Sequence, residues 1–211
     1  MQQSHTGETW IWDMDGTLID SYGVITSSLL KVTEELGHPV PYEEILYRIK
    51  QTSMTVFVRE WTDRFGGDPS AFVMRYREIS HLDDNRIPLV PGAEKVLRGL
   101  RAHGARHFIY THRGPSTHRI LSRLGITDLF DEIVTSEAGF PSKPAPDGVL
   151  YFLQKYKSDP ARTFYVGDRN LDIGCAFNAG VRGILYLEEG SFVQPDGRED
   201  RVIRSLTDLL G

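Results

Sequence analysis

The sequence predicts an α/β fold, a doubly wound, mostly parallel sheet of five strands with a block of helices inserted after the first strand. Two observations carry this. From about residue 86 onward, short apolar runs that end in polar residues alternate with helical stretches, the pattern of strand-helix-strand crossovers in a parallel sheet. Ahead of them stands one more apolar run, Trp10-Ile11-Trp12, followed by roughly sixty residues with helix signals and no strand signal. The expected division is a core of residues 1–19 and 86–211 and a helical insertion of residues 20–85.

Each element has a local cause. Trp10, Ile11 and Trp12 read as a short, fully buried strand, and Trp61 is expected in a core as well. In the insertion, Ile25, Leu29, Val32 and Leu36 fall on one helical face, which Gly37-His38-Pro39 ends. Three more helices are expected: Tyr42 to Lys50 after Pro41, Ser53 to Phe65 before Gly66-Gly67, and one opened by Asp68-Pro69 that runs to about His81. Asp83 to Pro91 is the return segment. Pro91 to His103 then predicts a helix stopped by Gly104, and His107 to Tyr110 the second strand. Ser116 to Leu124 is helical, Glu132 to Val134 is the third strand, and Ser136 to Pro146 is a loop rich in Pro and Gly that carries Lys143. Asp147 to Tyr156 is helical and Thr163 to Val166 is the fourth strand. A helix through Asn178-Ala179-Gly180 leads to the fifth strand, Gly183 to Leu187, and Arg201 to Leu210 is expected to close the chain as a helix.

Composition limits what such a fold does. At 211 residues, 40% hydrophobic and 25% charged, the chain is an ordinary globular protein with enough length for a full core. Lys plus Arg number 24 against 29 Asp plus Glu, a formal charge of -5, so there is no basic footprint for nucleic acid or an anionic membrane. One cysteine, Cys175, rules out an internal disulfide framework and fits a reducing compartment. No apolar run approaches the roughly 20 residues of a membrane span. Residues 1–8, MQQSHTGE, have neither the basic nor the apolar part of a signal peptide, so the expectation is a cytoplasmic protein with a loose N-terminus.

The polar residues at the strand exits form a set. Asp13 and Asp15 follow the first strand, Thr111 the second, Lys143 a loop after the third, and Asp168 with Asp172 the fourth. In a parallel sheet these exits share one edge, where α/β folds bind ligands. Two aspartates one residue apart there repel each other and call for a cation, most simply a hard divalent ion. A lysine and a threonine hydroxyl supply donors for an anion. Together they describe a phosphate bound beside a metal.

Asp13-Met14-Asp15-Gly16-Thr17 resembles the DxDGT motif that follows the first strand in the haloacid dehalogenase superfamily. Phe108-Ile109-Tyr110-Thr111 resembles its second motif, Lys143-Pro144 with Pro146-Asp147 its third, and Val166-Gly167-Asp168 through Asp172 its GDxxxD fourth. The order and spacing extend over nearly the whole chain. The inserted helices, with Asn178-Ala179-Gly180-Val181, resemble the phosphoglycolate phosphatase and β-phosphoglucomutase branch, which carries a helical cap on a Rossmann-like core.

That resemblance implies a magnesium-dependent phosphatase acting on a small phosphorylated metabolite, with no nucleic-acid or membrane partner. Asp13 is the implied nucleophile, forming an aspartyl-phosphate, and Asp15 the acid and then base. Mg2+ is held by Asp13, the backbone carbonyl of Asp15, and Asp168. Thr111 and Lys143 hold phosphoryl oxygens, and Asp172 orients Lys143 or a metal-bound water, while a plain helix-capping role for Asp172 stays compatible. Gly16, His112, Arg113, Lys50 and Ser53 are candidate substrate contacts; His112 and Arg113 depart from the small or amide residues common after the second motif. The junction that holds Lys50, Thr52 and Ser53 is expected to read the leaving group.

Several alternatives belong beside this reading. Asp15 argues against carbon-halogen or phosphonate cleavage, because family members with those activities lack an aspartate there. A phosphomutase is the nearer alternative, since Ile49 to Met54 resembles the mutase cap loop, although Met54 stands where an arginine would bind a second phosphate. A non-enzymatic phospho-acceptor module uses similar groups, but there the acceptor aspartate follows a later strand. The sequence leaves the oligomeric state open.

Overall fold

The structure, a computed structural model, describes residues 7–211. The expected loose N-terminus falls largely on residues 1–6, outside the described residues. The chain divides into two compact units, one of residues up to Asp20 with Pro88–Gly211 and one of Ser21–Ile87.

The larger unit is a parallel sheet. Strands β1 (Thr9–Trp12), β2 (Arg106–Tyr110), β3 (Glu132–Val134), β4 (Thr163–Gly167), β5 (Arg182–Tyr186) and β6 (Arg201–Ile203) lie in the order β3-β2-β1-β4-β5-β6, every pairing parallel. β1 is therefore central, and its four residues are buried on both faces, as crossover helices require. Among the described residues the sheet has six strands, one more than the sequence predicts, and the expected closing helix is corrected accordingly. Arg201–Ile203 pairs with β5, and only Leu206–Leu210 turns, as a 3-10 segment capped by Ser205 and Asp208. Val202, Ile203, Leu206 and Leu209 mimic helical spacing, whereas three residues are too few to show the alternation of a strand.

Helices in this unit are Ala93–Ala102, Ser116–Arg123, Asp147–Tyr156 and Asn170–Ala179. Ile11, Phe108, Tyr165, Phe152 and Cys175 share one buried cluster between sheet and helices. Trp10 and Trp12 are buried too, with the Trp12 indole donating to His107 Nδ1 at 3.0 Å.

The second unit holds helices Tyr22–Glu35, Tyr42–Gln51, Met54–Phe65 and Pro69–Asp83. Their apolar faces close on a core of their own around Leu29, Val32, Ile45, Phe57 and Trp61. No helix among the described residues is long and apolar enough to cross a membrane.

Candidate active site

Register sets the site. Trp12 is level with Ile109 on one side and Val166 on the other, and the Asp13 N–H donates to Val166 O at 2.9 Å. The exits of β1, β2 and β4 therefore meet at one edge of the sheet. After Asp13 the chain turns sharply: the N–H groups of Leu18 and Ile19 both donate to Met14 O, at 3.0 Å. Gly16 takes a φ of 81° there and its N–H is committed to Ile19 O at 2.8 Å, so its place in the motif is a backbone one.

A buried ion-pair chain lies at the centre. Lys143 Nζ donates to Asp13 Oδ1 at 2.6 Å and to Asp172 Oδ1 at 2.9 Å, with its side chain 0% exposed. The Tyr110 and Tyr165 rings flank the same ammonium at 5.2 and 5.3 Å, presenting their electron-rich faces to it. Burial alone would lower the Lys143 pKa, but the Asp13 and Asp172 carboxylates outweigh it and hold it above the ordinary lysine value. At Asp13 burial outweighs the neighbouring charges. Burial raises its carboxyl to about 6, with Asp172 adding to the effect while Lys143 and Arg169 oppose it.

Asp172 makes two contacts at once. Oδ1 holds Lys143, and Oδ2 accepts the Arg169 N–H at 3.2 Å, capping the helix that begins at Asn170. Gly167 makes the room, because a Cβ there would sit 2.3 Å from Asp172 Cβ. Asp168 is 5% exposed, with Oδ1 3.7 Å from Arg169 Nε.

Carboxylate oxygens of Asp13, Asp168 and Asp172 come within 4.8 Å of one another, and Asp13 Oδ2 is buried with no hydrogen-bond partner among the described residues. A hard-oxygen set with an orphaned buried acceptor fits magnesium. Thr111 is 1% exposed, and its Oγ1 accepts the Arg113 N–H at 3.0 Å.

The other candidates separate. Asp15 is paired with Arg113, whose Nη2 reaches Oδ1 at 2.6 Å, and His112 Nε2 accepts the Lys143 N–H at 3.1 Å. Neither pairing is visible in sequence, since the partners are 98 and 31 residues apart. Lys50 and Ser53 belong to the helical unit. Lys50 is buried with Nζ 4.4 Å above the Tyr22 ring, and Ser53 caps the helix at Met54 by accepting the Val56 N–H at 3.2 Å. A serine just before an apolar helical run is itself a capping signal.

The family model for haloacid dehalogenase-like hydrolases matches residues 10–186. The chain belongs to that family. Among relatives of this hydrolase, the phosphoglycolate phosphatase of Cereibacter sphaeroides is 31% identical over 186 residues, 84% of each chain. Solved structures share the fold. A haloacid dehalogenase-like hydrolase from Streptococcus pneumoniae has a TM-score of 0.78 at 21% identity, covering 99% of this chain and 98% of its own. CbbY from Rhodobacter sphaeroides has a TM-score of 0.82 at 20% identity over 96% of each chain, and a mutant of it was crystallised with xylulose-1,5-bisphosphate.

Proposed function

We propose that this hydrolase is a magnesium-dependent phosphatase acting in the cytoplasm on a small phosphorylated metabolite, through an aspartyl-phosphate on Asp13. The observation that carries the reading is the buried chain Asp13–Lys143–Asp172 beside Asp168. One nucleophilic carboxylate there has an ammonium to draw in phosphoryl oxygens and a second carboxylate within reach of the same cation.

An Asp13 carboxylate oxygen attacks phosphorus, and the bond from phosphorus to the leaving oxygen breaks as Asp15 delivers a proton to that oxygen. Water then attacks the same phosphorus, Asp15 takes its proton, and the Asp13–phosphorus bond breaks to release inorganic phosphate. Asp13, Asp168 and the Asp15 carbonyl are the groups that would hold magnesium, which supplies positive charge where two anions meet. Lys143 and the Thr111 hydroxyl hold phosphoryl oxygens, with Asp172 fixing Lys143. The helical unit of residues 21–87 is, in this reading, the cap that selects the substrate. The Cereibacter relative makes a two-carbon phosphorylated acid the first candidate, and the bisphosphate complex of CbbY makes sugar phosphates the second.

The test is a screen of phosphorylated acids, sugars and nucleotides with the purified protein. Repeated turnover that chelator abolishes and magnesium restores supports the reading. One equivalent of phosphate taken up without turnover would make the chain a phospho-acceptor instead.

A further inference from the structure

His112 follows Thr111 at the exit of β2, half-buried, with its ring 6.2 Å from that of Tyr110. Its Nε2 accepts the backbone N–H of Lys143 at 3.1 Å. An imidazole nitrogen that accepts an N–H carries no proton, so the ring is neutral and its proton sits on Nδ1. The surroundings favour that state. Burial lowers the His112 pKa to about 4, and the cations Lys143 and Arg169 press the same way, against Asp172 and Asp15.

Other side chains tie the Lys143 loop by its carbonyls. Tyr110 Oη donates to Pro141 O at 3.2 Å, Asn178 Nδ2 to Pro144 O at 2.9 Å, and Cys175 Sγ to Ala145 O at 3.1 Å. His112 differs from these, because it holds the amide of the lysine itself. The Lys143 ammonium stands at the end of a four-carbon stem, so a small rotation of its backbone is amplified at Nζ. In an active site a displacement of about 1 Å costs on the order of a hundredfold in rate.

We propose that His112 is a positioning residue, whose neutral imidazole fixes the Lys143 backbone and through it the ammonium that bridges Asp13 and Asp172. It acts through Lys143 and does not contact the phosphate. This rests on the phosphate-holding role given to Lys143 above.

The shapes of the side chains supply the test. A glutamine amide oxygen reaches the place of a histidine Nε2, whereas leucine fills the space without an acceptor. In the full chain with magnesium, H112L should raise the KM for p-nitrophenyl phosphate and the inhibition constant of inorganic phosphate about tenfold, the order expected for one buried amide left unpaired. H112Q should restore both to within about threefold of wild type. Nitrogen-15 spectra of the wild-type imidazole should show Nδ1 protonated and Nε2 bare. H112Q as impaired as H112L, or a wild-type ring protonated on Nε2, would overturn the proposal. The spectra need no variant, so a leucine protein that fails to fold does not shelter it. Lys143→Ala separates the two readings. Unchanged phosphate inhibition in that variant would remove the role given to Lys143, while the ring spectrum would still decide whether His112 holds its amide.

Discussion

Arg113 grips Asp15 with two nitrogens: Nε and Nη2 donate to Oδ1 at 3.0 and 2.6 Å, and Nε also reaches Oδ2 at 3.2 Å. The two side chains are 9% and 18% exposed, so solvent screens this pair far less than a surface ion pair. A planar fork on both oxygens fixes the carboxylate plane, which a lysine at this position would not do. Arg113 is thereby bound to the residue assigned to proton transfer.

If Arg113 orients Asp15 for delivery of the proton, the cost of removing it depends on the leaving group. An alkoxide needs the proton as the bond breaks, and p-nitrophenolate scarcely does. Arg113→Met is therefore expected to lower kcat/KM for an alkyl phosphate by roughly ten- to a hundredfold, the range for a charged hydrogen bond, and for p-nitrophenyl phosphate by less than about threefold. Steady-state kinetics on both substrates checks this. Equal losses would make Arg113 a substrate-binding or folding residue.

Asp13→Asn keeps the shape of the proposed nucleophile and removes its charge. Turnover should fall below about a hundredth of wild type, a barrier increase above roughly 3 kcal/mol, with the far-ultraviolet spectrum unchanged. A variant that retained more activity would rule out covalent catalysis by Asp13.

The residues at the strand exits are legible because each strand is a short apolar run that ends abruptly in a polar group, and a parallel sheet brings all such ends together. Asp13, Lys143, Asp168 and Asp172 are close in the structure for that reason. The second partners of those groups are not legible in the same way. Whether an arginine after β2 turns toward substrate or toward Asp15, or which ring nitrogen of His112 meets an amide, depends on side-chain directions that spacing does not encode. The edge strand β6 is hidden for a different reason. With three residues, two of them exposed, it has no buried alternating face to mark it.

His107 gives a prediction on stability. It is fully buried, and its Nδ1 accepts from the Trp12 indole at 3.0 Å, which requires the neutral ring. Burial, with Arg101 nearby, lowers its pKa from 6.5 to about 4. Between those values the unfolded chain binds a proton that the folded one refuses, so folding stability is complete above about pH 6.5 and declines as pH falls toward 4. The largest loss from this one group is roughly 3 kcal/mol. Urea unfolding at a series of pH values should show stability falling across that window in wild type and a shallower fall in His107→Gln. Parallel curves would mean that other groups carry the acid sensitivity.

Gly167 connects packing to chemistry most directly. An added Cβ would lie 2.3 Å from Asp172 Cβ and 2.5 Å from its Cγ, so Gly167→Ala cannot be accommodated unless Asp172 moves. Asp172 is held at both oxygens, by Lys143 at 2.9 Å and by the Arg169 N–H at 3.2 Å, so moving it breaks the helix cap, the ion pair or both. Overpacking of this kind costs roughly 1 to 3 kcal/mol in stability. The loss in kcat should exceed what stability explains, because the Lys143 ammonium loses one of the two carboxylates that set its position. Gly23 is the control. It is helical, with nothing within 4 Å of a Cβ, and Gly23→Ala should be neutral or stabilising by up to about 1 kcal/mol. Unfolding midpoints and kcat on p-nitrophenyl phosphate, measured for both variants, decide the matter. If Gly167→Ala lost stability but kept its kcat, Lys143 would hold its place on Asp13 alone, and the Asp172 contact would serve the fold and not the reaction.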